Sequence, residues 1–238
     1  MSGYRFAAER IRKHALSALN QVRDSLGLGD FPNEETPHPS YPQSYYQRLF
    51  STLIKSFEHT TTPLSAQLRW SFYGYPGMPL LCCPLYLSGS ERLMLWGTPM
   101  HTQGTLGRLP SQRQIIVLDG EIRHARPSCF VRERVRAGEQ FTISAGHSEL
   151  IEVPDHLWVL EYARGWTTLS FSMELLELWW QRLDLSLILQ HCGAFGRLQW
   201  QNWSRLWNKR IEAETKSAPE QELQIMPTTH PTHSVTQG

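Results

Sequence analysis

The chain of 238 residues lacks an excess of charge of one sign, because 23 Lys and Arg stand against 22 Asp and Glu and the formal net charge is +1. A protein that neutralises nucleic-acid phosphates needs a surplus of clustered Lys and Arg, so the composition argues against a nucleic-acid partner. The chain also lacks an apolar leader segment and an apolar run of about 18 residues, the length that a membrane-spanning helix requires. These absences predict a protein that is soluble or lies on a membrane surface.

Metal and redox motifs are absent as well. The cysteines, Cys82, Cys83, Cys129 and Cys192, form no CxxC pair and have no metal-ligand spacing, which disfavours zinc and thioredoxin-like sites. The motifs GxSxG, GxGxxG, HExxH and the P-loop are also missing, which removes the common hydrolase, nucleotide-binding and zinc-protease classes. We therefore expect neither a metal nor a cofactor.

Aromatic residues, in contrast, are abundant, with nine Trp, eight Tyr and nine Phe. Such a content favours an apolar ligand site or a membrane surface, and an aromatic-rich core explains it equally well.

Periodicity predicts an α+β organisation. Helical spacing covers residues 4–26 and 46–57, with a proline-rich linker between them. Short β-like runs follow and predict a compact β-barrel or sandwich. The predicted strands are residues 69–73, 92–97, 114–118, 141–144, 150–153 and 157–163. Three parts of the chain are predicted. Residues 1–44 form an N-terminal helix and linker, residues 45–211 form a barrel with C-terminal helices, and residues 212–238 form a disordered tail.

The segment 169–211 predicts two amphipathic helices. Its second helix carries Trp200, Trp203 and Trp207 among basic residues, a pattern typical of a helix in a bilayer interface. A helix packed on the barrel with a solvated basic face is the alternative. We expect peripheral membrane contact through 169–211, and the composition allows a homo-oligomer.

Glu161 is the candidate for chemistry. Alternation along the strand 157–163 places Glu161 on one face with Val159, while Trp158 and Tyr162 lie on the other. Glu161 therefore lies among apolar side chains whichever face points inward. A buried protonated carboxyl group can protonate an alkene, and an ionised one can stabilise a carbocation or bind an amine. An ion pair with an arginine is the structural alternative.

Asp119, Gly120 and Glu121 follow the strand 114–118 and are typical of a hairpin turn.

Three motifs in a fixed order resemble those of the C-8 sterol isomerase and sigma-1-type receptor family. They are ERLMLWGTP from Glu91 to Pro99, the step Gly107-Arg108, and LEYARGW from Leu160 to Trp166. The similarity covers roughly residues 45–195, and the order of the motifs makes it specific. The resemblance implies a small cupin-like β-barrel around an elongated hydrophobic pocket, closed by two C-terminal helices that rest on an endoplasmic-reticulum membrane.

The resemblance also implies roles for residues. The motif glutamate of the family lies inside the barrel, where it meets a cationic ligand group or the carbocation of the isomerase reaction, and it corresponds to Glu161. An acidic residue of the first C-terminal helix has its counterpart in Glu177. The predicted substrate contacts are Trp96, Tyr162, Trp158, Val159, Ile115, Arg92 and Glu177.

Three departures mark the chain as a diverged member. The segment 109–115 holds no carboxylate, although the family has a second carboxylate after the Gly-Arg step. Arg92 stands where the family has an aromatic residue, and the family's N-terminal transmembrane helix is absent. With Arg92 or Arg113 beside it, Glu161 would act as a base or cation stabiliser instead of a proton donor.

A double-bond isomerisation adds a proton at one carbon and removes one from a neighbouring carbon, so a second acid/base group is needed. Asp119 and Glu121 are the candidate catalytic carboxylates beside Glu161, and His124 or a water is the alternative.

The predicted function is therefore a cofactor-independent isomerase that shifts a double bond in a hydrophobic sterol or terpenoid. One alternative is a diverged isomerase or cyclase of specialised terpenoid or meroterpenoid metabolism. Another is a non-catalytic, sigma-receptor-like binder of amphiphilic amines. The expected location is the endoplasmic-reticulum membrane surface or the cytoplasm.

Overall fold

The structure, a computed structural model, confirms the α+β prediction. It describes residues 6–28, 41–58, 68–75, 78–182 and 185–217. The elements in chain order are α1 (Ala8–Ser25), α2 (Gln43–Glu58), β1 (Ser71–Tyr75), β2 (Met78–Leu87), β3 (Glu91–Thr98), β4 (Thr102–Leu106), β5 (Ser111–Ala125), β6 (Glu133–Arg136), β7 (Gln140–Ile143), β8 (Glu149–Val153), β9 (Leu157–Gly165), α3 (Thr167–Arg182) and α4 (Leu185–Ser217). The described residues fall into two units, divided between Trp200 and Gln201.

The nine strands form one curled antiparallel sheet in the order β1-β2-β3-β9-β5-β8-β4, with β6 and β7 also pairing with β5. The central strand β9 lies between β3 and β5, and residues in register across these strands share a face of the sheet. One row joins Arg92, Ala163 and Arg113. The next inward row joins Met94, Glu161 and Ile115, and a third joins Trp96, Val159 and Val117.

The two faces of the sheet bury different clusters. The inner face packs apolar side chains of the strands against one another. The outer face packs against α1 and α2, whose buried residues follow helical spacing, for example Ile11, Ala15 and Leu19 in α1. Gly27 takes φ +65 just after α1, as expected of a glycine that ends a helix.

The hairpin turn predicted at Asp119–Glu121 is wrong, because β5 continues through it. A register shift between Val117 and Asp119 marks a bulge, and Gly120 adopts φ +83. A side chain at Gly120 would place its Cβ 2.1 Å from the carbonyl oxygen of His156. The turn-like composition therefore serves a bulge inside a long strand.

Each predicted strand overlaps a strand of the structure, but β2, β4 and β6 were not predicted. Within β2, the burial of both faces removes the alternation on which strand prediction depends.

The C-terminal helices contact the sheet at several points. Ser170 Oγ donates to Ser111 Oγ at 2.9 Å, and Thr167 Oγ1 donates to the carbonyl of Ser88 at 2.7 Å. Leu175 and Ile188 pack against the inner cluster.

Helix α4 continues to Ser217, beyond the predicted end at 211. The rest of the predicted tail, and the linker except its last residues, lie outside the described residues. Across the described segments, no helix is both long and apolar enough to cross a bilayer.

Candidate active site

Glu161 lies on the inner face of β9 with an exposed fraction of 0%. Its Oε1 accepts a hydrogen bond from Arg92 Nη2 at 2.8 Å, and its Oε2 accepts one from Trp96 Nε1 at 2.9 Å. A guanidinium and an indole N–H can only donate, so both oxygens of Glu161 serve as acceptors, as those of an ionised carboxylate do.

Arg92 joins Glu161 to a second carboxylate. Its Nη1 donates to Oε2 of Glu174 at 2.6 Å, and all three side chains are buried. Glu174 comes from α3, so the ion pair also ties this helix to the barrel. The other oxygen, Oε1 of Glu174, is buried and has no hydrogen-bond partner among the described residues. The site therefore presents two carboxylates bridged by one guanidinium.

The surroundings of these charges are apolar. Met94 and Ile115 flank Glu161 on the neighbouring strands, and Val117 and Val159 continue the inner face. Burial raises the pKa of the nearby Cys82 thiol to about 12, so this cysteine is a neutral side chain rather than a nucleophile at neutral pH. No group of three or more His, Cys, Asp or Glu within the described segments is placed to hold a metal ion.

Arg113 is a second buried arginine of the inner face, with an exposed fraction of 0%. It lies in the same cross-strand row as Arg92, with Ala163 between them. Its Nη2 donates to the carbonyl of Gly107 at 2.8 Å. Its Nε and Nη1 are buried without a hydrogen-bond partner in the described part of the chain.

The structure brings several predicted site residues together. Arg92, Trp96, Ile115 and Val159 all share the inner face with Glu161. Glu177 is in α3, but its side chain lies outside the described residues.

Trp158 and Tyr162, predicted to contact substrate, are on the opposite face of β9. Tyr162 Oη donates to Glu91 Oε1 at 2.7 Å and to the carbonyl of Phe6 at 3.1 Å. The ring of Trp158 packs at 5.5 Å from that of Phe50 in α2. Trp158 and Tyr162 therefore pack the N-terminal segment and α2 against the sheet and do not line the face that carries Glu161.

Asp119, a predicted catalytic carboxylate, is likewise separated from Glu161. Its Oδ2 accepts from Tyr46 Oη at 2.8 Å and lies 3.1 Å from His156 Nε2. Burial acts to lower the pKa of His156, but hydrogen bonds to Asp119 and Asp155 outweigh it and raise the pKa. Asp119 thus belongs to a buried polar cluster that joins α2 to the sheet.

Glu121 and His124 are engaged elsewhere on β5. Glu121 forms ion pairs with Arg123 and Arg134; burial acts to raise the pKa of this carboxyl group, but the two arginines outweigh it and lower the pKa. His124 lies 2.6 Å from Glu149 Oε2. Among the described residues, neither Glu121 nor His124 forms a hydrogen bond or ion pair with Glu161.

Glu174 is the site residue that the sequence-based prediction missed, because its helix neighbour Glu177 matched the family pattern. A signal was available in Arg92. A buried arginine is stabilised by a counter-charge close to it, and Glu174 is one of the few acidic residues of the C-terminal helices.

Residues 33–205 match the model of a protein family that is described as ERG2 and Sigma1 receptor like protein. The sigma non-opioid intracellular receptor 1 of Danio rerio is 28% identical over 108 residues, which are 44% of this chain and 49% of the relative. The C-8 sterol isomerase of Pyricularia oryzae is 28% identical over 113 residues, 48% of this chain and 51% of the relative. The chain thus spans about half the length of these curated relatives.

Among solved structures, an RmlC-like cupin from Shewanella frigidimarina aligns with a TM-score of 0.37 and 15% identity, covering 45% of this chain and 90% of the cupin. A likeness of this size carries no information on function. The curled antiparallel sheet with helices at both ends of the chain agrees with the cupin-like fold that was expected.

Proposed function

Because the chain belongs to the family of ERG2 and Sigma1 receptor like proteins, we propose that it is a cofactor-independent isomerase that moves a carbon–carbon double bond in a polycyclic sterol or terpenoid. The supporting observation is Glu161, a fully buried carboxylate on an apolar face that accepts hydrogen bonds from Arg92 and Trp96. A carbocation formed in this place would be stabilised by the carboxylate in a medium that screens charge weakly.

The reaction requires a proton donor and a proton acceptor. We assign the acceptor to Glu161, since each carboxylate oxygen keeps a second lone pair beyond the one used by Arg92 or Trp96. We assign the donor to Glu174, whose Oε1 can carry a proton while Oε2 accepts from Arg92. Glu174 thus takes the place of the second carboxylate that the segment 109–115 lacks.

The proposed cycle balances in protons. Glu174 protonates one alkene carbon, which leaves a carbocation on its neighbour. Glu161 then removes a proton from an adjacent carbon, and the double bond reappears one position along the ring. After the product leaves, Glu161 loses its proton to solvent and Glu174 takes one from solvent, which restores the site. A second double bond that traps the carbocation would close a ring instead, which is the cyclase alternative.

Ligand binding without turnover is the second candidate, and the sigma receptor relatives favour it. A cationic amine bound to Glu161 would be repelled by the charge of Arg92, which already pairs with this carboxylate. The site geometry therefore supports the isomerase more than a receptor for amines.

We also propose peripheral membrane contact through the C-terminal helices. Trp166, Trp180 and Leu189 are large apolar side chains with exposed fractions of 71%, 79% and 71%. Within the second unit, the exposed rings of Trp203 and Trp207 stack at 5.5 Å. Tryptophans exposed in this way suit the interface between lipid head groups and acyl chains.

The test of the proposed isomerase is turnover of two alkenes, a Δ8 sterol and levopimaric acid, followed by gas chromatography and mass spectrometry. We expect Glu161→Gln and Glu174→Gln to lose about 10²-fold or more in rate, the usual contribution of a general acid or base. Glu9→Gln on the exposed side of α1 is the matched control and should keep the wild-type rate. Full turnover by Glu161→Gln would remove this residue from the mechanism. Tight binding of an amphiphilic amine with no turnover of either alkene would favour the receptor alternative.

A further inference from the structure

The inner face of the barrel changes in polarity along its length. Toward one end it is lined by Leu157, Val159 and Val117. Toward the other end, where α3 makes its hydrogen bond to Ser111, lies the row that carries Arg92 and Arg113. A ligand that fits this face has an apolar body and a polar group at the α3 end.

Arg113 is unlike Arg92 in its partners. Arg92 binds two carboxylates, whereas Arg113 binds only the carbonyl of Gly107, and within the described residues no carboxylate pairs with it. A guanidinium stays charged in proteins, and a buried charge without a counter-charge is strongly unfavourable. Arg113 thus keeps a buried positive charge with two unused N–H donors, Nε and Nη1.

These two donors define the chemistry of the group that they would bind. Nη2 carries a second N–H besides the one donated to Gly107, and this N–H is adjacent to that of either Nε or Nη1. Two such adjacent N–H groups form a fork that matches the two oxygens of a carboxylate. A carbonyl oxygen satisfies one donor and leaves the charge in place, and an ammonium group is repelled.

From these observations we propose that Arg113 is a recognition site for the carboxylate of the substrate, so that the substrate is a polycyclic isoprenoid acid. The inference rests on the proposed function in placing that substrate on the inner face. Arg113 and Glu161 are diagonal neighbours on paired strands, with Cα atoms about 7–8 Å apart. One fused-ring skeleton can therefore place its acid group at Arg113 and its double bond near Glu161.

The experiment compares three ligands that share one tricyclic skeleton: dehydroabietic acid, dehydroabietinol and dehydroabietylamine. Isothermal titration calorimetry with the full chain should show the acid binding about tenfold or more tightly than the alcohol, since an ion pair with two hydrogen bonds replaces one hydrogen bond to a neutral hydroxyl group. The amine should bind most weakly.

Arg113→Met should lower the affinity for the acid to that for the alcohol, and Arg113→Lys should keep part of the preference. Arg108→Met removes the same charge from an exposed position a few residues away and should bind all three ligands as the wild type does. We expect Arg113→Met to melt no lower than the wild type, because the variant no longer buries a lone charge. A melting temperature no lower than that of the wild type shows that Arg113→Met is folded, so its loss of acid binding is not caused by unfolding.

Equal binding of the acid and the alcohol, tighter binding of the amine, or a preference for the acid that persists in Arg113→Met would each overturn the inference. Binding is measured without turnover, so the two proposals fail separately. Glu161-dependent isomerisation of a Δ8 sterol without any preference for the acid would keep the isomerase and remove the role of Arg113. A preference for the acid that depends on Arg113, without turnover of any alkene, would keep the role of Arg113 and remove the isomerase.

Discussion

Replacement of Arg92 by Met should destabilise the protein strongly. Arg92 contributes hydrogen bonds of 2.8 Å to Glu161 and 2.6 Å to Glu174, and all three side chains are buried. Removing one partner of a buried ion pair lowers the free energy of unfolding by about 3–5 kcal/mol, because the remaining charge stays desolvated. For a chain of this size, each kcal/mol shifts the melting temperature by about 2–4 °C, so we expect a loss of about 6–20 °C.

The comparison that isolates this effect is a triple variant, Arg92→Met, Glu161→Gln and Glu174→Gln. It removes the ionisable groups of all three residues together, and replacing a whole buried ion network is often neutral or stabilising. The triple variant should therefore recover most of the loss seen in Arg92→Met.

Urea unfolding followed by tryptophan fluorescence, together with thermal melting, measures both effects. Arg164→Met is the matched control on β9, since Arg164 is exposed and bonded to Gln112, and it should change stability by about 0.5 kcal/mol or less. A loss below about 1 kcal/mol in Arg92→Met, or a triple variant as unstable as the single one, would refute the view that Arg92 joins two buried carboxylates.

Three further outcomes are expected. Because the pKa of His156 is raised in the folded protein, its contribution to stability is complete below about pH 6.5 and is lost as the pH rises through the pKa of the folded state. Urea unfolding at a series of pH values from about 6.5 upward should show this loss of stability, and Asp119→Asn should make the stability depend less on pH. Gly97→Ala should lower stability by about 2 kcal/mol or more, since its Cβ would lie 2.1 Å from a backbone carbonyl oxygen of β9; unchanged urea unfolding would contradict this packing. Trp180→Ser should reduce co-sedimentation with liposomes at low salt, whereas a wild-type chain that stays in the supernatant would contradict membrane contact.

The part of the site that could be predicted from sequence is the part encoded locally. Alternation in a single strand was enough to separate the face of Glu161 and Val159 from that of Trp158 and Tyr162, and the structure has the same two faces. The assignment of Trp158 and Tyr162 to substrate contact did not follow from that alternation. Their proximity to Glu161 in sequence does not become proximity in space, because neighbouring residues of a strand point to opposite faces.

The remainder depends on contacts between distant segments. The partnership of Arg92 with Glu174 joins a strand to a helix 82 positions later, and no local pattern reports such a pair. The segment from Asp119 to Glu121 resembles a turn, yet the pairing of β5 with β9 and β6 extends it as a strand. Long-range pairing of this kind overrides local propensity.

The most direct test of the central claim, that Glu161 and Glu174 transfer protons during isomerisation, is turnover in D2O with mass spectrometry of the product. We expect the wild-type chain to place one solvent deuterium in each isomerised molecule, and Glu161→Gln to form no labelled product. Isomerised product that carries no deuterium, or labelled product formed at the wild-type rate by Glu161→Gln, would contradict the claim.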